Sequence, residues 1–295
     1  MCRPFSFRQT QMTHSSVTLL GTKGGPAIRP GTPMPTSSLL RLGGKTIVID
    51  AGLGVTRGIC DAGVPLTGID AIFITHLHSD HYLELGPLIH TAWTAGLKTP
   101  IPIYGPEGLG AYWRGFLASM EADIALRIAD EGRPDLGSLV ELQKLEAEAF
   151  TLFDIKVSAI RNQHPPLADS FALRFDHQGK SVTFSGDTAP IEDMVDFATG
   201  SDLLIHEAML TEGIAALCAR VGNGDGRLRI HLERSHSSAQ EVARIAARAK
   251  VPALALHHLI PSDDPAFTQE HWIEEIRPFF DGMLHLGRDG MIIEF

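Results

Sequence analysis

The stretch Thr75-His76-Leu77-His78-Ser79-Asp80-His81, directly after the apolar run Ala71-Ile72-Phe73-Ile74, carries three imidazoles and one carboxylate within six residues. Residues 71–74 read as a buried strand. Extended backbone has a side-chain period of two, so His76 and His78 leave the strand on one side and can grip one cation. A turn toward a helix then swings Asp80 and His81 to the other side, where a second cation fits. Neutral imidazoles with a carboxylate suit zinc best, with manganese or iron as alternatives. A polar surface loop has no packing reason to hold histidines at this spacing.

Donor residues recur where later strands end. A strand over 153–160 leads to His164, stiffened behind by Pro165-Pro166. A hairpin of 170–175 with 181–184 delivers Ser185-Gly186-Asp187-Thr188. The glycine lets the backbone pass close to a ligand, and the two oxygens of Asp187 are enough to bridge two cations. A strand over 202–205 delivers His206-Glu207-Ala208, and another over 251–256 ends in His257-His258. His236 stands just before Ser238, which with Glu241 matches a capping box for a helix over 239–249. In layered α/β architectures such strand ends converge on one pocket. Asp50, closing a strand pair over 38–42 and 46–50, is expected to fix a loop beside the site rather than bind metal. His14, His90, His177, His206, His231, His271 and His285 read as surface or core packing.

The intervening segments supply the scaffold. A strand over 16–20 runs into Gly21-Thr22-Lys23-Gly24-Gly25-Pro26, a loop suited to phosphate that lacks the Gly-Lys-Ser/Thr ending of a phosphate-binding loop. Residues 83–95 read as a helix and 101–104 as a strand. Residues 109–129 read as helical, with Tyr112, Trp113, Phe116 and Met120 spaced by three and four. That stripe is either core or the underside of a lid over loops that carry a site. The last strands, 283–286 and 291–295, are expected to pair with each other across Arg288-Asp289-Gly290.

The chain has 295 residues, 44% hydrophobic and 20% charged, as in an ordinary globular protein. Lys+Arg 25 against Asp+Glu 35 gives a net charge of -10. An acidic chain without a dense basic run is a poor general binder of nucleic-acid backbone. The three cysteines, Cys2, Cys60 and Cys218, have no pairing or ligand spacing and read as free thiols. No apolar run approaches the roughly 20 residues a membrane span needs. Residues 1–15 read as a frayed extension before one domain over 16–295, with a cytoplasmic location expected.

Together these stretches resemble the metallo-β-lactamase superfamily, within it the ribonuclease Z and arylsulfatase-like branch. The most specific marker is 75–81, matching His-x-His-x-Asp-His. His164, Ser185-Gly186-Asp187-Thr188, His206-Glu207-Ala208, His236-Ser237-Ser238 and the run 254–261 around His257-His258 match in order. The resemblance implies a four-layer αβ/βα sandwich, here with a helical insertion around 109–135. It also implies two zinc ions per chain. His76, His78 and His164 would hold one, Asp80, His81 and His258 the other, and Asp187 would bridge them. His258 rather than His257 takes the last place by alignment alone.

The activity implied is that of a dinuclear metal-dependent hydrolase, attacking by a metal-bridged hydroxide. Asp80 would accept the water's proton, and His236, oriented by Glu207, would protonate the leaving group. Ribonuclease Z proteins carry a long arm between the equivalents of His164 and Asp187. Only about 22 residues separate them here, and Ser79 stands where that subgroup usually has glycine. With the acidic charge, this favours a small ester-type substrate (a phosphodiester, aryl sulfate, lactone or cyclic amide) over nucleic acid. The alternatives are a ribonuclease Z-like transfer RNA 3′-processing endonuclease and an iron-dependent redox member. A non-catalytic module is disfavoured because every ligand position is filled. A homodimer is a further expectation from the family, with 109–135 as its candidate interface.

Overall fold

The computed structural model describes residues 14–295, so residues 1–13 of the expected extension lie outside the described residues. The first half contributes β1 (Ser16–Gly21), β2 (Ser37–Leu42), β3 (Lys45–Ile49), α1 (Val55–Asp61), β4 (Ala71–Phe73), α2 (Ser79–Tyr82), α3 (Leu85–Thr94), β5 (Ile101–Gly105), α4 (Leu109–Ser119), α5 (Glu121–Glu131) and β6 (Val140–Lys144). The second half adds β7 (Ala149–Leu152), β8 (Ile155–Arg161), β9 (Phe171–His177), β10 (Lys180–Phe184), α6 (Asp193–Ala198), β11 (Leu203–Met209), α7 (Gly213–Val221), α8 (Arg227–Ser235), α9 (Ala239–Arg248), β12 (Ala253–Ile260), α10 (Gln269–Ile276), β13 (Met283–Leu286) and β14 (Met291–Glu294). One sheet has the order β14-β1-β2-β3-β4-β5-β6 and the other β13-β12-β11-β10-β9-β8-β7.

Strand alternation decides the four layers. In β3, Ile47 and Ile49 face the second sheet while Val48 faces the helices; in β4, Ala71 and Phe73 face inward and Ile72 outward. A strand covered on both faces must be apolar at every position, which is why 71–74 has no polar residue. The second sheet answers with Val157, Leu173, Phe175, Leu203 and Ile205 on its inner face. On its outer face Leu204, Leu254 and Leu256 pack against Val242, Ala243 and Ala246 of α9. Phe73 stacks on Tyr104 at 4.8 Å and meets Phe175 edge-on at 5.2 Å, locking sheet to sheet. The sandwich expected from the resemblance is the architecture present.

Parallel pairing of β3-β4-β5 and of β10-β11-β12 puts the carboxyl ends of these strands on one edge. The donor-bearing loops therefore meet there.

Three expectations need correction. The helical reading of 109–129 breaks at Met120 into α4 and α5. Trp113 is 6% exposed and packs with Ile124 into the core outside the first sheet, so the aromatic stripe is core and not a lid. The last two strands do not pair with each other. β13 lies parallel to β12, and β14 crosses to β1 in the other sheet, because extending each sheet gives each strand a longer neighbour. The strand expected over 153–160 is present as β8 but begins only at Ile155, because Phe153, with φ 61, lies in the turn that joins it to the unforeseen β7. Cys60 and Cys218 form no disulfide among the described residues, and Cys2 lies outside them. No described helix is long and apolar enough to cross a membrane.

Candidate metal centre

The chain leaves β4 through Ile74, whose N–H donates to Tyr104, and then detaches from the sheet. His76 bridges to Ser170 in the second half of the chain, so the two halves are joined at the first donor residue. α2 begins at Ser79 with His78 as its cap, and that turn sends Asp80 and His81 away from His78. One ligand atom each from His76, His78, His164 and Asp187 lies within 4.8 Å of the others. Asp80, His81 and His258 form a second such group.

Asp187 joins the two groups. Its Oδ2 lies 3.6 Å from His76 Nε2, 3.9 Å from His164 Nε2, 3.3 Å from His81 Nε2 and 3.1 Å from His258 Nε2. Gly186, at φ 58, makes this approach possible. A Cβ there would stand 2.5 Å from the Phe171 carbonyl. Asp80 Oδ2 lies 3.3 Å from His258 Nε2 and 3.6 Å from His81 Nε2.

The far nitrogen of each of three imidazoles is held from behind. His81 Nδ1 meets Asp50 Oδ2 at 2.8 Å, His164 Nδ1 meets the Ser235 carbonyl at 2.9 Å, and His76 Nδ1 meets Thr75 Oγ1 at 3.0 Å. Such partners set which nitrogen carries the proton and aim the other one. Asp50 also accepts from the Thr75 N–H at 2.8 Å, matching its expected role beside the site. His76 Nε2, His81 Nε2 and Asp187 Oδ1 are buried and have no hydrogen-bond partner. Unsatisfied buried atoms are costly unless something else engages them. Inward-facing imidazole nitrogens around a shared carboxylate are the donor set of a divalent cation, so these residues fit a dinuclear metal centre.

Burial drives His164 down to about 4 and His76 well below its ordinary value, so both present lone pairs. Burial also opposes charge on His81, yet Asp187, Asp50 and Asp80 around it lift its pKa well above normal. His257 turns away, its Nε2 meeting the Gly21 carbonyl at 2.9 Å. His258 alone of that pair joins the cluster, with φ 43 where β12 slips register against β11.

His236 and Glu207 form a buried pair, with His236 Nδ1 3.0 Å from both carboxylate oxygens. Burial lifts the Glu207 carboxyl; for His236 burial opposes charge, but Glu207 outweighs it and raises the imidazole to about 9. The pair therefore keeps a proton across neutral pH. Glu207 is fixed by the Thr188 N–H at 2.7 Å.

A cavity of about 390 Å³ opens over the cluster, bounded by His78, Asp80, Asp187, His236 and His258. Its other walls are the loop at 23–29 and, from α7 and α8, Leu217, Val221, Leu228, His231 and Leu232. The sequence reading gave α7, α8, Lys23 and His231 no part in the site. A signal existed: Ile214, Leu217 and Val221, then Leu228, His231 and Leu232, recur at three- and four-residue spacing on either side of a glycine-rich break.

The family model described as anti-Pycsar protein Apyc1 matches residues 16–221. The ribonuclease Z of Mycolicibacterium paratuberculosis is 31% identical over 277 residues, spanning 92% of this chain and 95% of that protein. The metallo-β-lactamase fold protein YhfI from Bacillus subtilis superposes with a TM-score of 0.71 at 20% identity, covering 96% of this chain and 100% of that one. The short form of human tRNase Z superposes with a TM-score of 0.65 at 24% identity, covering 94% and 98%.

Proposed function

This chain belongs to the metallo-β-lactamase superfamily of metal-dependent hydrolases, in its ribonuclease Z branch and in the family described as anti-Pycsar protein Apyc1, and from that premise we propose that it hydrolyses a small phosphodiester. The observation that carries this is the cavity of about 390 Å³ that opens over the donor cluster, walled by α7, α8 and the 23–29 loop. That volume suits a ligand of cyclic-nucleotide size. Relatives named ribonuclease Z supply the bond type, since a ribonuclease cleaves phosphodiesters. Aryl sulfates, lactones and cyclic amides stand behind this choice.

In this reading His76, His78 and His164 would hold one cation and Asp80, His81 and His258 the other, with Asp187 available to both. Zinc is the expected metal, with manganese or iron as substitutes. When bound, two divalent cations supply Lewis acidity at a phosphoryl oxygen and acidify water. The protein's own groups do the rest. Asp80 is held ionised, against burial, by His81 and His258, which suits it as a ligand; its role as acceptor of the water's proton rests on the family resemblance. His236 has Nδ1 committed to Glu207, which leaves Nε2 to protonate the leaving oxygen. Residues 16–295 act as one domain, in the cytoplasm, as a homodimer.

Turnover of bis(p-nitrophenyl) phosphate by zinc- and manganese-loaded protein, beside Asp187→Ala, tests the proposal. Nitrophenolate release that the substitution abolishes supports it, and cyclic nucleotides follow. No release from protein holding two metals sinks the phosphodiester reading. The second reading, a transfer RNA 3′-processing endonuclease, rests on the 31% identity to a ribonuclease Z. Cleavage of a precursor transfer RNA at rates above those for any small diester would put it first.

A further inference from the structure

The glycine-rich loop around Lys23, suited by sequence to phosphate but lacking the ending of a phosphate-binding loop, carries the strongest unexplained feature of the cavity. Lys23 lines the cavity, yet its residue is 5% exposed. Its ammonium has three donors, and one is used, Nζ to the Gly24 carbonyl at 3.0 Å. Among the described residues no carboxylate pairs with it. Asp263, the acid whose charge it feels most, is taken by Arg29 and by Arg220, each at 2.6 Å. Asp80 Oδ2 accepts from the Gly25 N–H at 2.8 Å and lies 3.3 Å from His258 Nε2. A lone buried ammonium is expensive, so its place in a cavity wall marks a site where an anion completes the pairing.

The loop is built to hold it there. Thr22 donates to Asp289 through both N and Oγ1, at 3.0 and 2.8 Å. Lys23 bridges to Pro35 on one side and Leu259 on the other, and its N–H donates to Met34 at 2.9 Å. Gly24 sits so close to the centre that a Cβ would stand 2.5 Å from Ile260 Cγ1 and 2.9 Å from His258 Cε1. Backbone pinned on two sides positions the side chain before any ligand arrives. Leu217, Val221, Leu228 and Leu232 offer the ligand only apolar surface. Arg29 also lines the cavity, but its charge, unlike that of Lys23, is already paired, through Nη1 with Asp263 at 2.6 Å.

We propose that Lys23 is a specificity-determining residue, binding an anionic phosphoryl oxygen of the substrate while the apolar α7–α8 wall receives the organic body attached to it. This deepens the phosphodiester reading and rests on it for the substrate class. Lys23 contacts the phosphoryl group before reaction as well as during it, so its loss raises KM more than it lowers kcat.

The test is calorimetric titration of inorganic phosphate into zinc-loaded wild type and Lys23→Met. Zinc content, melting temperature and bis(p-nitrophenyl) phosphate kinetics are read on the same samples. The expected result is phosphate binding and KM weaker by about 10- to 100-fold, the strength of a hydrogen bond to a charged group. Zinc content stays at the wild-type level. The melting temperature holds or rises, because methionine keeps the apolar stem and removes an unpaired buried charge. Unchanged phosphate affinity overturns the proposal. So does a melting temperature lower by several degrees with unchanged KM, which makes Lys23 a structural counter-ion of Asp263. If Lys23→Met does not fold, Lys23→Gln carries the same comparison. Phosphate binding that depends on Lys23 in a protein without phosphodiester turnover overturns the substrate class alone. Turnover with Lys23-independent phosphate binding overturns this inference alone.

Discussion

Replacing Asp50 by asparagine isolates the electrostatics behind one histidine. Asp50 is 2% exposed and accepts three contacts: the Thr75 N–H at 2.8 Å, Thr75 Oγ1 at 2.9 Å and His81 Nδ1 at 2.8 Å. Asparagine keeps one oxygen for Thr75 but turns an NH₂ toward His81. Nδ1 must then accept, the ring proton moves to Nε2, and the nitrogen facing Asp187 and Asp80 loses its lone pair. A hydrogen bond to a charged group is worth about 1.5–3 kcal/mol, so affinity at the His81 site should fall roughly 10- to 100-fold. The His76–His78–His164 site reaches Asp50 only through the Thr75 hydroxyl, which the remaining oxygen of asparagine still accepts, and should keep its affinity. Zinc titration against a competing chelator resolves the two sites, and nitrogen NMR of the His81 ring reads the tautomer directly. Asp50→Ala is the harsher control. It strands a buried Thr75 N–H, costing about 1–3 kcal/mol more and therefore several degrees of melting temperature. Equal weakening of both sites by Asp50→Asn, or weakening of neither, refutes the reasoning.

Three further outcomes are expected. Glu207→Gln and His236→Ala should each lower kcat by about 10²- to 10⁴-fold with two metals still bound, measured by kinetics beside metal analysis; loss of metal instead would make the pair structural. Trp113→Ala should cost about 3–5 kcal/mol in urea unfolding and leave KM unchanged, because the ring fills the core and not the cavity. Acid should destabilise the fold through His206, fully buried and held down by burial to about 4. Its stabilising contribution is complete above the unfolded value near 6.5 and is lost as pH falls toward about 4, because only the unfolded chain takes up the proton across that window. The loss reaches roughly 3 kcal/mol. In the presence of chelator, His206→Leu should therefore flatten the fall in urea midpoint between about pH 6.5 and 4.5.

Much of this protein was legible in local pattern, and the limits of that legibility have physical causes. The apolar run 71–74 and the period-two alternation around it determined buried strands, because a strand covered on both faces has no position for a polar side chain. His76, His78, Asp80 and His81 were recognisable because their donor atoms come from one short stretch, and the turn between them follows from backbone geometry. Ser238 and Glu241 marked the start of α9, and the capping box is present there. Other features depend on contacts remote in sequence. Trp113 and Leu217 both stand on helical stripes, and nothing local distinguishes the stripe that fills the core from the one that walls the cavity. β13 and β14 chose different sheets because each found a longer partner than the other could offer. Asp187 reaches four imidazoles only because β4, β8, β10 and β12 end on the same edge. Lys23 is buried without a counter-ion only because Arg29 and Arg220, from separate parts of the chain, converge on Asp263 first. Donor chemistry and strand periodicity are carried by neighbours along the chain; which apolar face meets solvent and which charge goes unpaired are decided when distant segments pack.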